Sequence, residues 1–101
     1  MKSILQKNRE CFITGCTSAL HKHHIFFGTS NRKNSEKYGL WVYLIPELHN
    51  TTNNGVHFNK ELDLLCKIAG QNAFEETHTR EEFIKIFGRN YLWRHIDKLK
   101  Q

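Results

Sequence analysis

The sequence predicts an α+β fold, a β-hairpin followed by helices, on three observations. Two short apolar runs, 19–27 and 40–45, hold the aromatic and β-branched residues that favour strands, with a polar stretch between them. Beyond Val56 the apolar residues switch to three- and four-residue spacings, the period of a helix with one buried face. At 101 residues, 39% of them hydrophobic, the chain has the length of one domain and enough apolar material for one modest core without disulfides. The expected organisation is a single domain over 1–101, with a core over about 11–76 and a helical C-terminal extension over about 79–100.

Taken in order, a short β segment over 10–14 ends at Thr14-Gly15-Cys16, a turn signal. The first main strand, 19–27, leaves the sheet at Gly28, and 28–39 reads as a polar loop. Leu40-Trp41-Val42-Tyr43-Leu44-Ile45 makes the second strand, closed by Pro46, which has no N–H to give to a ladder. The two strands are expected to pair as a long hairpin. After Pro46 there is room for one helical turn, but Thr51-Thr52-Asn53-Asn54-Gly55 favours a loop.

The first long helix carries a stripe of Phe58, Leu62, Leu65, Ile68 or Ala69, and Ala73, which requires a partner surface and is expected to pack on the hairpin. Asn54 is the candidate N-cap, which places His57 in the first turn. Thr79-Arg80-Glu81-Glu82 matches a capping box and opens a second helix with Phe83, Ile84, Ile86 and Phe87, stopped by Gly88. Tyr91, Leu92, His95, Ile96 and Leu99 then recur at helical spacing among Arg89, Arg94, Lys98 and Lys100. That tail is either a last helix covering the core or a basic amphipathic arm lying on nucleic acid.

Net charge is +5, which suits a polyanionic partner, and its distribution says more than the total. Residues 1–45 hold seven Lys or Arg against Glu10 and Glu36, while the remainder is balanced at eight against eight. Arg32, Lys33 and Lys37 in the polar stretch, with Lys22 on the first strand, are the candidate contacts to a nucleic-acid backbone; a solvated loop is the alternative for that stretch. No apolar run reaches the 18 or so residues of a membrane span, and the first nine residues are too short and polar for a signal peptide, so a cytoplasmic protein with no membrane partner is expected. Three cysteines, an odd number, fit reduced thiols in that compartment. Cys66, in an apolar helical stretch, reads as a core residue. Cys11, Cys16 and a histidine such as His21 form an alternative mixed metal site.

The chemistry-bearing pattern is the spacing of histidines: His23-His24 on the first strand, His49 just after the second, and His57 beyond it. Hydrolysing a phosphodiester requires a base near neutral pH to deprotonate water, and positive charge over the leaving oxygen. Imidazole serves both needs, as a base and as a neutral metal ligand. Neighbouring strand residues point to opposite faces, so His23 and His24 share one task only at a strand end or bulge. His21, His78 and His95 read as core or surface histidines.

On these residues the stretch from Cys11 to Asn59 and the helix after it resembles the HNH (ββα-metal) endonucleases, and the chain as a whole is similar to small HNH-type proteins of phages of Gram-positive bacteria. The resemblance implies a ββα-metal core with His23 as a metal ligand, His24 as the general base and His49, in Leu44-Ile45-Pro46-Glu47-Leu48-His49, as a second ligand on the same ion. For the last ligand position Asn53 and His57 compete. His57 is preferred, because a helix N-terminus disfavours the protonated ring and soft or borderline metals prefer nitrogen. The chain departs from the family pattern at two places. Lys37-Tyr38-Gly39-Leu40 stands where a central Asn is usual, with Asn34 or Ser35 as the nearest replacements, and the two Cys-x-x-Cys pairs of a structural zinc are incomplete. The implied cofactor is one divalent ion (Zn, Mn, Ni or Mg) without a structural zinc, and the implied partner is DNA, double-stranded rather than single. Two functions follow: a metal-dependent DNA endonuclease, or a non-catalytic protein that keeps the fold and charge to bind nucleic acid or modulate a host system.

Overall fold

His21–His24 (β1) and Trp41–Leu44 (β2) pair antiparallel in the computed structural model, which describes residues 1–92. His21 lies opposite Leu44, Lys22 opposite Tyr43, His23 opposite Val42 and His24 opposite Trp41. Strand alternation therefore sorts the side chains: His21, His23, Val42 and Leu44 share one face, and Lys22, His24, Tyr43 and Trp41 share the other. Four helices complete the α+β arrangement among the described residues: α1 (Thr29–Tyr38) between the strands, then α2 (Pro46–His49), α3 (Lys60–Phe74) and α4 (Arg80–Phe87). None of them is long and apolar enough to cross a membrane.

The connection between the strands is a helix, not the polar loop expected from its composition. α1 has no apolar stripe. It begins after Gly28, which carries a φ of 97°, and ends at Gly39, whose left-handed φ of 70° lets its N–H reach back to the Glu36 carbonyl. Its anchor is one buried hydroxyl: Ser35 Oγ donates to the Phe26 carbonyl at 2.7 Å and accepts from the Phe26 N–H at 3.1 Å. Tyr38 adds edge contacts to Phe74 and Phe87. The same Ser35 bond takes the Phe26 backbone out of the ladder, and Ala19 sits at a φ of 55°, so β1 is shorter than the expected 19–27 run. β2 likewise keeps four residues. The expected 10–14 segment reduces to one parallel bridge, Cys11 to Tyr43, because the chain turns back through Gly15 at once.

The core lies between the sheet and the helices α3 and α4. Ile25, Phe26, Leu40, Val42, Leu44 and Val56 meet Cys66, Phe74, Phe83 and Phe87 there. Burial pushes the Cys66 thiol up to about 12, in keeping with its core position. α3 differs from its expected form in two ways. Its N-cap is Asn59, whose side chain accepts from the Glu61 and Leu62 N–H groups at 3.1 Å, and not Asn54. Its buried face is Cys66, Gly70, Gln71 and Phe74, while Phe58 and Leu65 are exposed. With the cap five residues later, Phe58 lies before the helix, and the face that docks on the core stands one position on from the expected stripe. α4 matches expectation, with the Thr79–Glu82 capping box present and Gly88 in the left-handed C-cap. Beyond Leu92, the expected C-terminal helix or arm, with His95, falls outside the described residues.

A segment of the N-terminal residues covers the other sheet face. Ser3 Oγ donates to the Trp41 carbonyl at 2.6 Å, the Trp41 indole N–H donates to the Met1 carbonyl at 3.0 Å, and the Tyr43 N–H donates to Gln6 Oε1 at 2.8 Å. Gly39 permits this crossing, since a Cβ there would collide with the Lys2 carbonyl.

Candidate metal centre

Three different elements bring three imidazoles together. His23 comes from the inner face of β1 and is 1% exposed. His49 ends α2, a single turn fixed by Pro46 at its start, which swings the chain from β2 across that face. His57 arrives when the chain folds back on α2: the Val56 N–H donates to the Leu48 carbonyl at 2.7 Å and the His57 N–H to the His49 carbonyl at 3.4 Å. Gly55 makes that return possible, because a Cβ would stand 2.8 Å from the His49 carbonyl oxygen. His57 therefore reaches the site from a turn ahead of α3, not from its first turn, and the helix dipole plays no part in its placement.

One ligand atom from each of His23, His49 and His57 lies within 4.8 Å of the others. Ring centroids are 5.2 Å apart for His23 and His49, 5.3 Å for His23 and His57, and 5.0 Å for His49 and His57. His49 Nε2 and His57 Nε2 are 3.3 Å apart, close to the roughly 3.3 Å that separates two nitrogens held at ~2.05 Å by one tetrahedral ion. His23 Nε2 is buried without a hydrogen-bond partner. Leaving such a group unpaired costs on the order of 1–3 kcal/mol, and a cation between the rings satisfies it. Burial, with the neighbouring His49 and His57, pushes His23 down to about 3; burial and then His57 push His49 down to about 4. Both rings are thus neutral near pH 7, with lone pairs free for a metal. The donor set of three imidazoles fits a divalent transition metal better than magnesium.

His24, the last residue of β1, points to the opposite face. Because β1 is an edge strand, a cleft of about 330 Å³ that runs along it is lined by His23, His49 and His57 together with Lys22, His24 and Arg32. Here the strand end lets adjacent histidines serve one cavity. His24 Nε2 lies 3.0 Å from Glu36 Oε1, which also takes Lys22 Nζ at 2.6 Å. Those two bonds hold the Glu36 carboxyl down to about 2. With Nε2–H donating to Glu36, Nδ1 of His24 is left as the proton-accepting nitrogen.

Of the expected backbone contacts, Arg32 lines the cleft and Lys33 lies beside it in a second depression with Gly28 and Thr29. Lys22 is on the cleft wall but ion-paired, and Lys37 lies a turn further along α1, over the Tyr38 ring. Asn53 is exposed and not on the cleft, which Asn50 lines instead. Cys11 and Cys16 form no ligand cluster with His21; among the described residues the histidine trio is the one such group.

Two residues of the site were not expected from sequence. His21 Nδ1 is 3.1 Å from His49 Nδ1, on the far side of the His49 ring from His57. Strand alternation held the signal, since His21 and His23 are two apart and share a face. Glu36 became visible only with α1 recognised as a helix, where it stands one turn from Arg32. Set against known proteins, the chain matches no family model, no curated protein and no solved structure.

Proposed function

We propose that this chain is a metal-dependent endonuclease of the HNH (ββα-metal) type that hydrolyses phosphodiester bonds of DNA. The observation that carries this reading is the placing of His24, tied to a carboxylate, in the same cleft as the His23, His49 and His57 trio. The antiparallel strand pair, with the metal-ligand candidates on its inner face and a helix packed behind, agrees with the resemblance in the sequence.

In this reading His24 is the general base. Glu36 accepts the hydrogen bond from Nε2–H, fixes the tautomer and leaves Nδ1 to accept a proton from the attacking water. The part that a central Asn plays in the family, orienting the base, falls here to a carboxylate from α1. His23, His49 and His57 hold the ion. A divalent ion bound there, zinc, nickel or manganese by the nature of its donors, supplies positive charge to the scissile phosphate and its leaving oxygen. Arg32 and Lys33, at the mouth, offer charge to flanking phosphates, a contact that fixes register without reading bases.

The test is plasmid nicking with each divalent metal in turn, run beside His24→Ala. The expected result is metal-dependent nicking by the native chain and a loss of about 10²- to 10⁴-fold in His24→Ala, with metal affinity retained. A native chain that binds metal and DNA but never nicks would leave the non-catalytic nucleic-acid-binding reading in its place.

A further inference from the structure

We infer that a second cleft, built by the N-terminal segment on the outer sheet face, grips the phosphate backbone of the nucleic acid on which the histidine cleft acts. The inference rests on the proposed function for the identity of the polyanion. The cleft, about 410 Å³, is walled by Lys2, Lys7 and Arg9 over Trp41 and Tyr43. All three cations are exposed, and among the described residues no carboxylate lies within ion-pair distance of them. Glu10, the acidic residue nearest in sequence, has its carboxylate beside the Gly15 turn.

Two of the polar groups around the three cations are already committed, and the third, the Asn8 amide, is exposed. Ser3 and Gln6 are bonded to the β2 backbone, and Gln6 also donates to the Glu10 carbonyl at 2.7 Å. Lys2, Lys7 and Arg9 are thereby carried on a segment tied to the sheet, so their charges are held near one another. The two clefts share a wall: Lys22, which lines the histidine cleft, lies 4.1 Å over the ring of Trp41, which lines the second. Among the described residues the one carboxylate at this boundary, Glu36, is neutralised there by Lys22 and by the Met1 N-terminus at 3.6 Å, so the passage from one cleft to the other carries no unpaired negative charge.

The aromatic residues do not offer a stacking platform. Trp41 is 9% exposed, and Arg9 covers the Tyr43 ring at 5.2 Å. With no open ring face, and with three cations against one exposed amide, that of Asn8, on the lining, the contact is to phosphate and carries little sequence preference. Each phosphate neutralised contributes about 0.9 to the slope of log affinity against log salt on duplex DNA.

Binding of a labelled 20-base-pair duplex and of the matching single strand is measured at several salt concentrations, in a His24→Ala background so that no cleavage intervenes. Lys2→Ala/Lys7→Ala/Arg9→Ala is compared with Lys60→Ala/Lys85→Ala, a charge-removing control on α3 and α4. The expected result is a slope shallower by roughly 2 to 3 in the triple variant, with about 10- to 100-fold weaker binding at moderate salt, and a near-native slope in the control. An unchanged slope in the triple variant, an equal loss per charge in the control, or no duplex binding by the parent at low salt each overturns the inference. These outcomes are independent of catalysis: intact, slope-sensitive binding with no nicking by the native chain would overturn the hydrolytic function alone.

Discussion

Glu36 Oε1 sits 3.0 Å from His24 Nε2 and 2.6 Å from Lys22 Nζ, so one carboxylate from α1 fixes two side chains of β1 on the cleft wall. The carboxylate is held ionised by those two partners and sets the tautomer of the ring it touches. Through α1 its position is secured by Ser35, one residue earlier, and its bond to Phe26.

If the proposed function holds, Glu36→Ala is therefore expected to lower nicking by about 10- to 100-fold while leaving metal affinity and thermal stability near native, since the group would orient His24 and touches none of His23, His49 and His57. Glu36→Gln keeps an oxygen that accepts from Nε2–H and recovers part of the rate. A Lys22→Ala variant separates the two partners of the carboxylate, with the smaller expected effect on single-turnover rate. A native rate in Glu36→Ala would remove the residue from this role.

The strand pair and the capping box at Thr79 were legible because each depends on local rules, alternation and a four-residue cap; His23, His49 and His57 came from the family resemblance, and the helix start offered in favour of His57 is not what places it. α1 was not legible. Periodicity detects a helix by its buried apolar stripe, and the only residue α1 buries fully is Ser35, whose anchor is a hydrogen bond to a residue on another element. The cost of missing it spread to the site, because Glu36 looks like a solvated charge until the helix faces it toward β1. The start of α3 was misplaced for a different reason: Asn59 is as competent a cap as Asn54, and only the fold of 51–58 back onto α2 decides between them.

Ser35→Ala tests the anchor. It removes a buried hydroxyl that serves both the N–H and the carbonyl of Phe26, leaving two backbone groups without that partner. A loss of about 1–3 kcal/mol in unfolding free energy is expected by denaturant titration. Because α1 carries Glu36, the same variant is expected, under the proposed function, to lower nicking more than the loss of folded protein accounts for. A stability within a few tenths of a kcal/mol of native would show that α1 is held by Tyr38 and the glycine caps instead.

Acid should destabilise the metal-free protein in a defined window. His23 falls from an ordinary 6.5 to about 3 and His49 to about 4, so below 6.5 the unfolded chain takes up protons that the folded chain refuses. The stability these neutral rings contribute is present above pH 6.5 and is lost progressively as pH falls toward 4 and then 3. The slope approaches about 1.4 kcal/mol per pH unit for the buried His23 within the window, and solvent screening makes the contribution of the more open His49 smaller. Melting temperatures of chelated protein between pH 7.5 and 4.5 measure this. His23→Leu, which removes the buried titrating ring, is expected to flatten the profile; an unchanged slope in that variant would show that the acid sensitivity arises elsewhere.

His21 is expected to govern metal affinity without binding the ion. For His49 Nε2 to present a lone pair beside His57 Nε2, the His49 proton must reside on Nδ1, and that proton faces His21 Nδ1 at 3.1 Å. His21 then accepts and carries its own proton on Nε2, so each ring fixes the tautomer of the next. Partners of this kind typically account for 10- to 100-fold in affinity. His21→Ala should weaken binding of zinc or manganese by about that factor, whereas His21→Gln, which offers a carbonyl oxygen in reach of Nδ1, should restore much of it. Long-range nitrogen–proton spectra of the loaded protein should show His49 protonated at Nδ1 in the native chain and a mixture of tautomers in His21→Ala. Equal affinities in native and His21→Ala protein, by competitive titration, would return His21 to the surface histidines and leave His49 oriented by α2 alone.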